Sequence, residues 1–324
     1  MKAFVILNPA AGKKAHASVR DALGRHFPAS HIDYEIQETL KADKPGDIVR
    51  TRLRDGFDLA VAAGGDGTVS DVIDGLAGNA TPLGIIPTGT GNLIARELGI
   101  PEDVDDAVAV IASAPRSRTV DAMRVGGRMF VLNASVGISA AVMGGTTRKN
   151  KNRFGRIAYL GTTILKMFTL KPRYLVVAVD GQAHAYRAVE VAIMNCGMLA
   201  KMLYSKGPEI RIDDGHLDVW ILGLRTVRDY PRYIRGLMHG RPVDLLARFI
   251  TAERSVTIRS SVPLPVQADG DIIGTTPVEL ELLPGAVTVL VPEAPATAAA
   301  LSLDREALRA QYQSHLARWA DSSD

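Results

Sequence analysis

The stretch Asp58–Ala77, DLAVAAGGDGTVSDVIDGLA, decides the fold. Leu59–Ala63 is an unbroken apolar run of strand length and reads as a buried strand. It breaks at Gly64-Gly65-Asp66-Gly67-Thr68. Helical periodicity follows, with Val69, Val72, Ile73 and Leu76 on one face. A strand that feeds a glycine-rich turn into a helix start is a phosphate cradle. The glycines let backbone approach a ligand, and the unpaired amides of the first helical turn point at an anion. The loop lacks the Gly-Lys-Ser/Thr ending of a Walker A site, and Ser70 stands where a dinucleotide fingerprint needs its third glycine. Asp66 beside phosphates implies either a metal ion or a proton acceptor. Alone, such a loop reads best as a plain tight turn. The rest of the chain changes that weighting.

Upstream, Ala3–Leu7 is a short strand running into Asn8-Pro9-Ala10-Ala11-Gly12 and a polar helical stretch to about His26. Asp33–Gln37 is a second strand ending near Thr39, and Asp47–Arg54 a helix. Downstream, Leu83–Ile86 is a strand broken by Pro87-Thr88-Gly89-Thr90-Gly91-Asn92. A helix over Leu93–Leu98 follows, stopped by Gly99 and Pro101, and then another over Val104–Ala112. Strands alternating with helices predict a parallel sheet with helices on both faces, which binds ligands at the carboxyl ends of its strands. Three glycine-bearing loops therefore fall on one rim.

After about Asp121 the pattern becomes antiparallel. Met123–Phe130 reads as a hairpin with a Gly-Gly turn, and Val176–Arg187 as one with an Asp180-Gly181 turn. Val189–Met194, Ile210–Ile212, Leu217–Leu222, Ser255–Arg259, Val278–Leu283 and Val287–Val291 add strands, interrupted by helices near Phe154–Phe168 and Val227–Ile250. The expected organisation is a Rossmann-like three-layer α/β domain over residues 1–122 and an antiparallel β-sandwich with helical insertions over 123–296. A final helix over Leu303–Trp319 (about 300–320) is expected to pack back on the first domain.

Composition bounds the function. The 324 residues suffice for two domains with real cores, and 47% apolar and 23% charged residues are ordinary for a soluble globular protein. A net charge of +3 is too small to argue for nucleic acid. The lone Cys196 excludes a disulfide framework and suits a reducing compartment. The start, MKAFVILNPAAGKK, has too short an apolar run for a signal peptide, and no stretch reaches the ~18 apolar residues of a membrane span. The expected location is the cytoplasm.

On these residues the chain resembles the diacylglycerol kinase catalytic family, which includes bacterial soluble lipid kinases and sphingosine kinases, with NAD kinases as more distant relatives. The resemblance rests on NPAAG at Asn8–Gly12, GGDGT at Gly64–Thr68, PTGTGN at Pro87–Asn92, NASVG at Asn133–Gly137, DDGHLDV at Asp213–Val219 and ADGD at Ala268–Asp271. It implies ATP-dependent phosphorylation of a lipid hydroxyl in a cleft between the domains. Carried over, the nucleotide contacts fall on Asn8, Thr39, Gly65, Asp66, Gly67, Thr68 and Thr90, with Gly64, Gly89 and Asn92 completing the loops. The DDG segment resembles a magnesium site using the Asp214 carboxylate and the backbone carbonyls of Arg211 and His216, oxygen ligands that suit a hard cation. The same segment reads equally well as a hairpin turn. Asp269 matches the family's proton acceptor, although Asp-Gly is also a common turn dipeptide. Asp66 is then left to organise catalytic Mg²⁺. Two departures stand out: Ser70-Asp71 where many relatives have Asn-Glu, and Leu93 where many have aspartate.

A lipid kinase must collect its substrate from a bilayer. Residues 148–173 hold eight bases and no acid among Phe154, Ile157, Leu160, Ile164, Leu165 and Phe168, and Arg225–Arg248 interleaves arginines with Tyr230, Tyr233 and Leu237. Each alone reads as a solvated amphipathic helix. Together they favour peripheral docking on anionic lipid. No recognition motif supports nucleic acid. Rival readings are a kinase for a soluble hydroxyl and a binding regulator without turnover. The oligomeric state is left open, a homo-oligomer included.

Overall fold

The computed structural model describes residues 1–9, 13–40, 43–113, 116–145, 172–198, 209–224, 229, 235 and 246–293. The helix expected over Leu303–Trp319, the one near Phe154–Phe168 and nearly all of the Arg225–Arg248 segment lie outside them.

The first half alternates as expected: β1 (Lys2–Leu7), α1 (Lys13–Ala29), β2 (Asp33–Glu38), α2 (Pro45–Arg52), β3 (Leu59–Gly64), α3 (Asp66–Gly75), β4 (Leu83–Pro87), α4 (Leu93–Glu97) and α5 (Val104–Ala112). The strands pair in parallel in the order β2-β1-β3-β4. Alternation along β1 explains the layers, because successive side chains point to opposite faces. Ala3, Val5 and Leu7 share one core with Val19, Leu23 and Phe27 of α1 and Ile111 of α5. Phe4 and Ile6 share the other with Val69, Val72, Ile73 and Leu76 of α3. The face read from the sequence of α3 is the face it buries.

The second half comprises β5 (Arg116–Val125), β6 (Arg128–Phe130), β7 (Asn133–Gly137), α6 (Ile138–Gly145), β8 (Arg173–Val179), β9 (Gln182–Ala188), β10 (Glu190–Met194), β11 (Leu217–Leu222), β12 (Ala247–Ala252), β13 (Ser255–Ser260), β14 (Pro265–Ala268), β15 (Asp271–Thr275) and β16 (Val278–Val291). A six-stranded antiparallel sheet, β12-β11-β10-β7-β14-β15, packs against the antiparallel strands of the other sheet. Val136, Val191, Ile193 and Val219 from one side meet Leu175, Val177, Val256 and Ile258 from the other.

Two expected strands, Val278–Leu283 and Val287–Val291, are one. β16 carries a register irregularity between Leu283 and Val287, which absorbs Pro284-Gly285 without ending the strand. β16 pairs in parallel with β4 at Val289–Leu83 and antiparallel with β5 and β13, so one ten-stranded sheet joins both halves. Ile210–Ile212, expected as a strand, is irregular. Its Ile212 carbonyl accepts a single bond from the Asp121 amide at 2.7 Å, and no ladder forms. The DDG segment is therefore not a hairpin turn between two strands. Residues 247–250, expected at the end of a helix, begin β12, where pairing to β11 outweighs helical spacing. No described helix is long and apolar enough to cross a membrane.

Candidate active site

At the carboxyl ends of β1, β3 and β4 the second and third expected loops meet Asn8-Pro9 of the first, whose remaining residues lie outside the described ones. The Asn8 amide donates to the Ala63 carbonyl at 3.0 Å, and the Thr88 amide to the Gly64 carbonyl at 3.0 Å. The Asn8 side chain donates to Thr68 Oγ1 at 2.9 Å, tying the first loop to the first turn of α3. Thr39 is buried beside the first loop, its amide on the Leu7 carbonyl at 2.9 Å.

Glycine is required where two loops meet. A Cβ on Gly89 would stand 2.5 Å from Gly65 Cα, and one on Gly64 the same distance from Thr68 Oγ1. At Gly67, which is exposed, nothing lies within 4 Å, so its glycine answers to no contact within the protein. Thr90 is exposed on the rim. Asn92 is buried and turned inward, its Oδ1 accepting from the Gly89 amide and its Nδ2 donating to the Gly89 carbonyl, both at 3.0 Å.

Asp66 bridges two loops. Its Oδ1 accepts from the Ile94 amide at 3.2 Å, at the amino end of α4. Burial pushes its carboxyl above the usual range, against the lowering effect of the Ile94, Leu93 and Asn92 amides. Leu93 thus takes part through backbone, while its side chain packs on the core beneath. The absent aspartate costs the loop no hydrogen bond of this kind.

Asp269 lies in the turn between β14 and β15, 199 positions from Ser70, yet Ser70 Oγ donates to its Oδ2 at 2.6 Å. The Val131 amide donates to the same oxygen at 2.9 Å, and the Leu132 and Asn133 amides donate to Oδ1 at 2.9 and 3.0 Å. Burial pushes this carboxyl up as well, with those four donors opposing it. Both oxygens are saturated by these four bonds. Three donors are backbone and fixed. Ser70 can rotate away.

Sequence reading noted Ser70 and Asp71 only as departures and missed Asp74 and Arg128. Ser70 and Asp74 are four residues apart and so share a helix face. That face meets the second half: the Met129 amide donates to Asp74 Oδ1 at 2.7 Å and Arg128 reaches Asp71 at 3.2 Å, while Arg50 of α2 holds Asp74 at 2.9 Å from the first half. The i, i+4 pair of Ser70 and Asp74, both buried, was the available signal.

The Asp213-Asp214-Gly215 segment has separate support. Asp121 accepts from the Gly215 amide at 2.6 Å and the Gly285 amide at 2.7 Å. Asn195 donates to the Asp121 and Val131 carbonyls, linking this segment to the backbone that holds Asp269. Burial raises the Asp213 carboxyl, but hydrogen bonds from Arg211 and Arg118 outweigh it and hold Asp213 below the usual range. A metal reading therefore falls on Asp214, whose Oδ1 accepts from the His216 amide at 3.2 Å. The donor chemistry, one carboxylate with carbonyl oxygens, fits a hard cation, and among the described residues no cluster of three His, Cys, Asp or Glu offers a softer or richer site.

Residues 2–125 match the model of the diacylglycerol kinase catalytic domain, and residues 133–291 that of the YegS C-terminal NAD kinase beta sandwich-like domain. A Pseudomonas syringae pv. tomato (strain DC3000) protein named "Probable lipid kinase YegS-like" is 30% identical over 296 residues, covering 90% of this chain and 93% of that one. The diacylglycerol kinase of Bacillus subtilis (strain 168) is 26% identical over 298 residues, covering 90% and 97%. A crystal structure of a diacylglycerol kinase from Bacillus anthracis (strain Sterne) superposes with a TM-score of 0.71 at 25% identity, covering 90% of this chain and 97% of that one. With the loop rim, the sandwich and both domain models in one order along one chain, this protein belongs to the diacylglycerol kinase and YegS-like lipid kinase family.

Proposed function

We propose that this chain transfers the γ-phosphate of ATP to a lipid hydroxyl, with Asp269 as the proton acceptor. The observation that carries the reading is the bond between Ser70 and Asp269, which seats a buried carboxylate against the first turns of the phosphate-loop helix. Phosphoryl transfer is mostly positioning and charge neutralisation, so the protein must deliver a base beside the phosphates. Burial suits Asp269 to that task, because a carboxyl raised towards neutrality is a better base than one at its ordinary value.

The loops Asn8–Gly12, Gly64–Thr68 and Pro87–Asn92 bind the triphosphate through backbone amides, with Thr39 and Thr90 at its flanks. When Ser70 rotates, Oδ2 loses its one mobile donor and accepts the proton of the lipid hydroxyl as that oxygen attacks phosphorus. Asp66 would hold magnesium there, which would supply neutralisation of the phosphates' charge, and Asp214 with the Arg211 and His216 carbonyls would hold a second, structural ion. The bases within 148–173 and 225–248 bring the chain to an anionic membrane surface, from which it takes its substrate.

The test is transfer from γ-labelled ATP with Mg²⁺ to vesicles of mixed lipid extract, beside an Asp269→Asn control. A labelled lipid that vanishes in the control supports the reading, and its mobility identifies the acceptor. Label in no lipid, while ATP still binds, overturns it in favour of a soluble acceptor or a binder without turnover.

A further inference from the structure

The face of the six-stranded sheet opposite the sandwich core packs under α6. It carries three polar side chains that are almost wholly buried: Glu190 on β10, Ser135 on β7 and Gln267 on β14, at 2%, 1% and 1% exposure. Ser135 and Gln267 are directly opposed across the strands, and Glu190 is opposed to Gly137, two residues along β7. Buried polar groups are costly unless paired, and Ser135 and Gln267 pair with each other. Glu190 accepts from the Ser139 amide at 3.1 Å. Ser135 Oγ accepts from Gln267 Nε2 at 3.0 Å, and Gln267 Oε1 accepts from the Gly270 amide at 3.0 Å.

The line has one direction. The Gly270 N–H can only donate, so the oxygen of Gln267 must face it, and its NH₂ must face Ser135. The line ends on Asp269-Gly270, both in the left-handed region, with φ of 45° and 90°. That conformation is unfavourable for aspartate by about 1 kcal/mol, so the turn persists because its surroundings hold it. On one side the Asp269 amide bonds the Asn133 carbonyl at 2.9 Å. Gln267 holds the other side.

We propose that Gln267, oriented by Ser135, is a positioning residue for phosphoryl transfer: it fixes the Asp269-Gly270 turn so that the carboxylate meets the acceptor hydroxyl. Neither Ser135 nor Gln267 bonds the Asp269 carboxylate, so their effect on the reaction passes through the turn. The proposal rests on Asp269 being the base, and it is tested by two readouts, one of which needs no turnover.

The full chain, Ser135→Ala, Ser135→Thr and the near-isosteric Gln267→Met are compared by hydrogen exchange at the Gly270 amide and by initial rates with γ-labelled ATP and mixed-lipid vesicles. Ser135→Ala and Gln267→Met are expected to speed Gly270 exchange and lower kcat about tenfold or more, since small misplacements of catalytic groups cost that much, while KM for ATP stays within about twofold. Ser135→Thr keeps the hydroxyl and restores both. Unchanged Gly270 exchange in the two disabling variants overturns the proposal whatever the activity. Faster exchange with an unchanged kcat also overturns it, because the turn then needs no holding for the reaction. No labelled lipid with the unaltered chain sinks the kinase reading and with it the positioning role, and the exchange arm then reports only whether the line holds the turn.

Discussion

Ser70 Oγ and Asp269 Oδ2 meet at 2.6 Å, the one side-chain bond in a pocket otherwise closed by three amides. A donor to a carboxylate stabilises its charged form, so removing it raises the carboxyl's pKa. Ser70→Ala therefore moves the acid limb of the kcat/KM profile for the lipid acceptor, which reports the free enzyme where Ser70 is still in place, to higher pH, by about one unit for the loss of a bond of about 1.5 kcal/mol. KM for ATP is expected to hold, because the Ser70 hydroxyl is directed to Asp269. Rates measured between pH 5 and 9 decide this, and an unmoved limb would mean that Asp269 is not the titrating base.

Gly67 and Gly89 lie on the same rim for different reasons, and alanine separates them. At Gly89 a Cβ would strike Gly65 Cα at 2.5 Å, so Gly89→Ala parts two backbones and costs about 1–3 kcal/mol of stability along with ATP binding. Gly67 lies within α3 with open space around it, so Gly67→Ala should stabilise the apo protein by about 0.5–1 kcal/mol. If the loop cradles phosphate through backbone, the same alanine weakens ATP binding. Calorimetric titration and thermal melts on both variants give the two signs. Unchanged ATP affinity in Gly67→Ala would remove this turn from the phosphate site.

The loop rim was legible because its signals are local: glycines, a strand end and a helix start follow one another in the sequence of each of the three loops. The α3 core face was legible for the same reason, since Val69, Val72, Ile73 and Leu76 repeat at helical spacing. What joins the halves was not legible. Nothing in Val278–Val291 announces that Pro284-Gly285 would be absorbed as an irregularity, because the pairing that absorbs it comes from β5, far away in sequence. Ser70 read as a departure from asparagine with no partner in view, because its partner lies 199 residues on. Ile210–Ile212 has strand composition but finds no neighbouring edge, and a strand without a partner is only an extended segment.

Asp213 and Asp214 are adjacent and differ in role. Asp213 is paired with Arg118 at 2.5 Å and with Arg211 at 3.0 Å, and its carboxyl sits below the usual range. A depressed carboxylate contributes stability above its unfolded pKa and loses it as pH falls through the folded value. Asp213→Asn should thus melt earlier than the unaltered chain at neutral pH, with the gap closing in acid. Asp214→Asn should leave the neutral melting temperature near that of the unaltered chain and, with Asp214 holding the proposed ion, abolish the rise in stability that added Mg²⁺ is expected to give the unaltered chain. A Mg²⁺-dependent rise that survives in Asp214→Asn would place the ion elsewhere.

Glu190 gives the fold a pH dependence of the opposite sign. It is 2% exposed, one of its oxygens has no partner among the described residues, and burial pushes its carboxyl from 4.5 to about 7. The folded state therefore keeps a proton that the unfolded chain releases between those values. Stability falls as pH rises through that window and is flat above it. The difference amounts to about 3 kcal/mol, at about 1.4 kcal/mol per unit. Glu190→Gln presents a neutral side chain of the same shape at every pH and should flatten that part of the curve. Urea unfolding of both proteins at pH 5 and pH 8 isolates the effect, because all other titrating groups are shared. If the two proteins lose stability in parallel between those values, Glu190 is ionised throughout and a cation must accompany it.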